Sequence, residues 1–316
     1  MTRAFVFPGQ GSQAVGMGRA LAEAFPAARH VFEEVDDALN QKLSKLIFEG
    51  PESDLTLTEN AQPALMAVSQ AVLRVLETEG KWTLAHKAQF VAGHSLGEYS
   101  ALAAAGTLSL GEAARLLTLR GQAMQKAVPV GIGAMAALLG LDLAQVQPIA
   151  EAAAKDTGKV CACANDNAPG QVVVSGDKEA VERAIALAAE QGAKRSVMLP
   201  VSAPFHCSLM KPAADAMGEA LEKVKLSVPS VPLIANVTAQ PVSDSETIRR
   251  LLVEQVTATV RWRESVETLK AEGITRIFEL GAGKVLAGLT KRIAREIEAS
   301  AVGAPEDIEA ALKALS

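Results

Sequence analysis

The sequence predicts an α/β protein, with a large domain built on a parallel sheet core and a small βαββαβ subdomain inserted in it. Three observations carry this. Short apolar strands alternate with helical patterns toward both ends of the chain. Two of those strands run directly into glycine turns and then helices, at PGQGSQAVGMG (8–18) and GHSLG (93–97). Between residues 133 and 199 the rhythm changes to strand, helix, strand, strand, helix, strand, an order that closes on itself as a ferredoxin-like unit. The large domain is therefore expected over 1–131 and 200–316, with the insertion over 132–199.

Residues 4–7 read as an apolar strand, and the glycine loop after them leads to helices at 19–25 and 28–39. A helical pattern covers 62–79, with Pro63 near its first turn. Strand 89–92 enters the turn at Ser95, and the helix after it, 96–105, stops at Gly106. Ser109 opens the next helix, with Glu112 at capping-box spacing. Ala113, Leu116, Leu117, Arg120 and Met124 then share one stripe, so Arg120 sets a permanent charge on an apolar face.

In the insertion, strands are expected at 134–139, 160–164, 171–175 and 194–198, and helices at 143–155 and 178–190. Residues 165–170 read as a turn-rich hairpin connection. Beyond Pro200, helices are expected at 210–224, 248–255, 262–272 and from 285, and strands at 233–236 and 277–280. Residues 300–316 carry a weak helical pattern.

Composition narrows the function. A chain of 316 residues, 49% hydrophobic and 21% charged, is expected to fold as a soluble globular protein. Aromatics are only 3%, too few for a base-stacking surface. The net charge is -5 and no long basic run occurs, which argues against nucleic acid as a partner. No apolar run reaches the ~18 residues of a membrane span, and no signal peptide is legible, so a cytoplasmic protein is expected. Cys161, Cys163 and Cys207 are odd in number and too tightly spaced for a zinc knuckle. They read as free thiols, and no metal is expected.

Gly93-His94-Ser95-Leu96-Gly97 matches G-x-S-x-G, in which a sharp strand-to-helix turn lifts a serine hydroxyl into the open. Its glycines let other backbone approach without a Cβ clash. The alternative is that Ser95 only caps a helix. A nucleophile needs a base, and the chain has four histidines. His30 and His86 read as surface residues, and the turn should aim His94 away from its neighbour. His206, in the loop PVSAPFHCSLMKP, is the best candidate, against a loop histidine satisfied by backbone. The aspartates between Ser95 and His206, at 142, 156, 166 and 177, all fall in the insertion. A Ser–His dyad oriented by neutral groups therefore fits better than a triad with a carboxylate.

Gly9-Gln10-Gly11-Ser12-Gln13-Ala14 also satisfies the dinucleotide fingerprint G-x-G-x-x-G/A, which would suit an oxidoreductase. No acidic residue ends a second strand ~20 residues on; Glu33 and Glu34 lie in helical sequence. The competing reading is that this loop turns backbone N–H groups toward Ser95, to form an oxyanion hole with the N–H of Leu96. GAGK (281–284) hints at a phosphate loop but has Phe278 for the first glycine and Val285 for the required Ser or Thr.

FVFPGQGSQ, GHSLGEYSAL, RGQAMQ, GAMAALLGL, PGQVVVSG, FHCSLMKP and GKVLAGLTKRI occur in this order. Together they resemble the malonyl-CoA:acyl-carrier-protein transacylases of bacterial fatty-acid synthesis, from Phe5 to about Ile293. The resemblance implies a hydrolase-like α/β domain with a ferredoxin-like insertion. It implies Ser95 as nucleophile and His206 as base. Backbone N–H groups of Gln10 and Leu96 would be the oxyanion donors. Arg120 would hold the substrate carboxylate, and the main-chain carbonyl of Gln255 would orient the histidine. It further implies malonyl-CoA and acyl carrier protein as partners, a monomer, and no cofactor, since the CoA thioester is substrate and phosphopantetheine arrives on the partner. Phe205 before His206 resembles the pair associated with malonyl rather than methylmalonyl selectivity.

Departures fall at Ala282, where proline is common, and at Ala258 and Thr259, where Asn-Pro or Ser-Pro often stands. Lys211, Lys284, Lys291 and Arg292 are expected to help dock an acidic carrier. A serine acyl hydrolase, a trans-acting acyltransferase of a polyketide pathway and an inactive scaffold are the alternatives.

Overall fold

In the computed structural model, which describes residues 2–316, the chain enters through β1 (Arg3–Phe7), whose last four residues are buried. The glycine loop leads into α1 (Arg19–Ala24), α2 (Pro26–Leu39), α3 (Leu43–Glu49) and α4 (Glu52–Leu55). The long α5 (Thr58–Gly80) follows. It begins ahead of the expected 62, so Pro63 lies inside it rather than in the first turn. No side chain caps this start. Thr58 and Gln62 hold it instead through side-chain hydrogen bonds with Gln10 and Arg120, which local sequence does not announce. After α6 (Leu84–Lys87) come β2 (Phe90–Gly93), α7 (Gly97–Ala104) and α8 (Leu110–Ala127). Ser109 and Glu112 form the reciprocal cap of α8 that their spacing predicts.

The smaller sheet is made of β3 (Gly133–Leu139), β4 (Cys161–Ala168), β5 (Gln171–Asp177) and β6 (Arg195–Met198). Its order is β4-β5-β3-β6, antiparallel throughout. α9 (Leu143–Thr157) and α10 (Lys178–Glu190) cover one face and share its apolar core. The connection expected at 165–170 shrinks to Pro169 and Gly170, because β4 continues to Ala168. A second neighbour sustains that extension. Asp166 N donates to Val260 O and Val260 N donates to Ala164 O, so the polar stretch ANDNA is held extended from outside the small sheet.

A 3₁₀ turn at Ser208–Met210 leads into α11 (Lys211–Glu222), then β7 (Leu233–Ile234), β8 (Pro241–Val242), α12 (Ser245–Gln255) and α13 (Trp262–Ala271). β9 (Arg276–Leu280), α14 (Val285–Ile293), β10 (Glu298–Val302) and α15 (Pro305–Leu315) complete the chain. The weak helix expected over 300–316 is thus an edge strand followed by a shorter helix. The larger sheet runs β10-β9-β1-β2-β7-β8, with its first five strands parallel and only β8 antiparallel. Apolar clusters pack on both faces, as a parallel sheet requires. β1 and β2 are adjacent and parallel, so the glycine loop and the Ser95 turn leave the sheet side by side at its carboxyl edge. That edge is where open α/β sheets place their ligands. No helix among the described residues is long and apolar enough to cross a membrane.

Candidate active site

The turn between β2 and α7 holds Ser95 at φ 53°, a left-handed conformation that costs a serine energy. The flanking glycines permit it by close approach. A Cβ on Gly93 would sit 1.9 Å from the carbonyl carbon of Gly97, and one on Gly97 would sit 2.2 Å from Phe7 O. Asn236, just past β7, ties the turn down: its Oδ1 accepts from Ser95 N at 2.8 Å and its Nδ2 donates to Gly93 O at 2.7 Å. Ser95 does not cap α7. Leu96 holds the N-cap position without a side-chain bond, and Ser95 Oγ lies 2.8 Å from His206 Nε2 instead.

His206 is buried and also left-handed, at φ 58°. Its Nδ1 lies 2.9 Å from the main-chain carbonyl of Gln255. A carbonyl only accepts, so Nδ1 carries the proton and Nε2 presents its lone pair to Ser95. Burial, reinforced by the nearby Arg120 charge, pushes the imidazole down to about 3, so it is neutral near pH 7. The four aspartates of the insertion are engaged elsewhere: Asp142 with Gly170 N, Asp156 with Arg183, Asp166 with Arg263 and Asp177 with Val160 N. His94 points away from the serine, bonding Asn167 Oδ1 at 2.8 Å and lying against Trp262. His30 and His86 are exposed.

Arg120 does not reach solvent along its stem; it is 1% exposed. Its Nη1 donates to Gln62 Oε1 at 2.8 Å. Its Nη2 donates to Gln255 Oε1 at 2.8 Å and to Ser95 Oγ at 3.1 Å. The guanidinium also lies 5.8 Å from the Tyr99 ring centroid. Every hydrogen-bond partner is neutral. No carboxylate among the described residues lies within ion-pair distance of it. A cation buried without a counter-ion, beside the Ser95 hydroxyl, is suited to an anionic group on a ligand.

The first glycine loop packs onto the turn, since a Cβ on Gly9 would meet His94 O at 2.8 Å. Gln10 is held by its side chain, whose Oε1 accepts from Thr58 Oγ1 at 2.9 Å. Its backbone N–H and that of Leu96 have no hydrogen-bond partner among the described residues. The fit of this loop to a dinucleotide fingerprint is explained by that packing. The GAGK turn holds no phosphate cradle: the buried Glu279 carboxylate already accepts from Leu286 N and Ala287 N at the start of α14.

A cavity of about 570 Å³ opens between the glycine loop (Gln10, Gly11, Gln13) and the chain from Leu199 to Ser202, with Phe205 in its wall. A second, of about 600 Å³, lies across the same loop, against Met17, Lys284 and Asp307; neither Ser95 nor His206 lines either cavity.

Sequence reading missed Asn236, Gln62, Thr58 and Glu98. Gln62 had a signal like that of Arg120, a polar side chain on a buried helical face. Asn236 and Glu98 had none, since their partners are 138 or more residues away in sequence.

The fold and this site fit a class of enzymes, the acyltransferases. An acyl transferase domain model matches residues 4–300. Malonyl CoA-acyl carrier protein transacylases of Bacillus subtilis (strain 168) and Escherichia coli (strain K12) are each 47% identical to the chain. The first match covers 99% of this chain and 96% of the relative, the second 98% of each. A crystal structure of acyl-carrier-protein S-malonyltransferase from Bartonella henselae superposes with a TM-score of 0.96 at 60% identity, covering 100% of this chain and 99% of that one. A malonyl-transacylase solved in complex with a type II polyketide acyl-carrier protein superposes at 0.95 with 44% identity, covering 99% of this chain and 100% of that one. The chain belongs to the malonyl-CoA:acyl-carrier-protein transacylase family.

Proposed function

We propose that this protein moves a malonyl group from malonyl-CoA to the phosphopantetheine thiol of acyl carrier protein, by way of an ester on Ser95. The observation that carries the malonyl assignment is Arg120, buried without a counter-ion and donating to the nucleophile itself.

His206 Nε2 takes the Ser95 proton as Oγ attacks the thioester carbon. The oxyanion that forms is met by the N–H groups of Gln10 and Leu96, which have no partner among the described residues. The C–S bond breaks, the CoA sulfur takes the proton from His206, and malonyl-Ser95 remains. The carrier's thiol then gives its proton to His206 and attacks the ester carbon. The C–Oγ bond breaks and the proton returns to Ser95. Throughout, Nδ1 stays bonded to Gln255 O, which fixes the ring orientation.

Selectivity follows from the guanidinium. A malonyl carboxylate can take two parallel hydrogen bonds from it in place of neutral partners. An acetyl group offers nothing, and a site built around a buried donor set discriminates strongly against an analogue lacking the matching acceptor. We infer a cytoplasmic setting, which suits the three free thiols.

The test is the intact mass of the protein after brief mixing with malonyl-CoA and acid quench, beside Ser95→Ala. One malonyl adduct on the wild type, absent from the variant and discharged by acyl carrier protein, is expected. Steady CoA release with no adduct and no need for carrier would mean hydrolysis.

A further inference from the structure

Glu98, in the first turn of α7, is 1% exposed and has no part in the acyl transfer described above. Its two oxygens meet different supports of the site. Oε1 accepts from Asn236 N at 3.3 Å, and Oε2 accepts from Gln255 Nε2. Asn236 is the residue that straps the Ser95 turn. Gln255 holds His206 through its carbonyl, Arg120 through Oε1, and Ser95 O through the same Nε2 at 3.0 Å. One buried carboxyl group thus sits beneath the supports of the nucleophile, the base and the arginine.

Both oxygens face N–H donors. A proton on either would point at a donor and leave the second N–H poorly satisfied, so the contacts fit the ionised form. Arg120 is the charged side chain whose field acts on Glu98, reaching it from α8, with only the Gln255 amide between their hydrogen-bonded atoms. The titratable groups nearby are Tyr99 on the same helix and His206 beyond Gln255; both are neutral near pH 7.

We propose that Glu98 is a positioning residue. Linked to Arg120 only through the Gln255 amide, its carboxylate holds Gln255 and Asn236 so that arginine, base and nucleophile turn stay in register. This rests on the transfer reaction proposed above. Burial opposes the ionised form and raises this carboxyl to about 7, while Gln255, Asn236 and Arg120 pull it back. Glu98 therefore gains a proton near neutrality, and the register is lost as pH falls.

The experiment is single-turnover acylation by malonyl-CoA between pH 5.5 and 9, read by quenched intact mass, for the wild type and Glu98→Gln. The wild-type rate constant should rise with pH through one ionisation near 7. His206, held far below that range, cannot supply it. Glu98→Gln should be about tenfold or more slower at pH 8, flat with pH, and little changed in half-saturating malonyl-CoA. A folded Glu98→Gln that keeps the wild-type rate or the ionisation overturns the proposal. A wild-type profile flat from pH 6 to 9 overturns it without any variant. If the wild type forms no adduct at any pH, the transfer reading itself fails.

Discussion

Arg120 and Ser95 are in direct contact: Nη2 of the buried guanidinium lies 3.1 Å from the Ser95 hydroxyl oxygen, which in turn lies 2.8 Å from His206 Nε2. The group that would select the substrate and the group that would attack it are adjacent before any substrate arrives. Their partners are shared as well, because the Gln255 side chain contacts Arg120 while its carbonyl holds His206.

Arg120→Ala should therefore separate two acyl groups. Charge-assisted hydrogen bonds contribute roughly 1.5–3 kcal/mol each, so malonyl transfer should fall by about 100-fold or more. Acetyl transfer, which makes no such bonds, should fall far less. Rates with malonyl-CoA and acetyl-CoA on the same preparation decide it; equal losses would remove the carboxylate role.

Replacing His206 tests the base. His206→Ala should slow acylation by about 10²–10⁴-fold. The same histidine marks stability. Its folded-state pKa of about 3 lies below the ordinary 6.5. The unfolded chain therefore binds an extra proton between those values. The contribution is present above pH 6.5 and is lost as pH falls toward 3. Denaturant midpoints should drop with acidification more steeply for the wild type than for His206→Gln; parallel curves would contradict the buried neutral ring.

The turn has no room for a side chain at Gly97. Gly97→Ala puts a Cβ 2.2 Å from a strand carbonyl. It should cost roughly 2–4 kcal/mol, read as a lower denaturant midpoint, together with most of the acylation rate. Gly106→Ala is the control. Its φ is 74° but nothing lies within 4 Å of the added Cβ, so a loss nearer 1 kcal/mol with activity retained is expected.

Carrier docking makes a separate prediction. Lys284 and Lys291 are exposed and take part in no ion pair among the described residues, whereas Lys211 pairs with Asp215. Arg292 is engaged by Gln171 and Pro169. Charge reversal at Lys284 and Lys291 should raise KM for acyl carrier protein several-fold, more at low salt, and leave acylation by malonyl-CoA unchanged. An unaltered KM would rule these lysines out as a docking surface.

Local signals were legible where local physics decides. The Ser109–Glu112 cap, the α10 boundaries and the glycine turn at 93–97 depend on residues within a few positions of one another, and the structure has them where the sequence put them. Signals failed where a distant segment sets the outcome. β4 stays extended through a turn-like stretch because Val260 pairs with it. β10 is a strand because β9 lies beside it, and α5 starts early because Gln10 and Arg120 engage its first polar residues.

The chemistry divides the same way. The sequence by itself determined the α/β class, the strained serine turn, the candidate base and a charge on an apolar helical stripe, because residue type and short spacing encode backbone geometry and burial. Only the tertiary structure decided that His206 Nε2 meets Ser95, that Arg120 is buried with no counter-ion, and that Glu98, Asn236 and Gln255 support all three. Those contacts join residues 25 to 160 positions apart, and a chain acquires them only when parallel strands bring their carboxyl ends together.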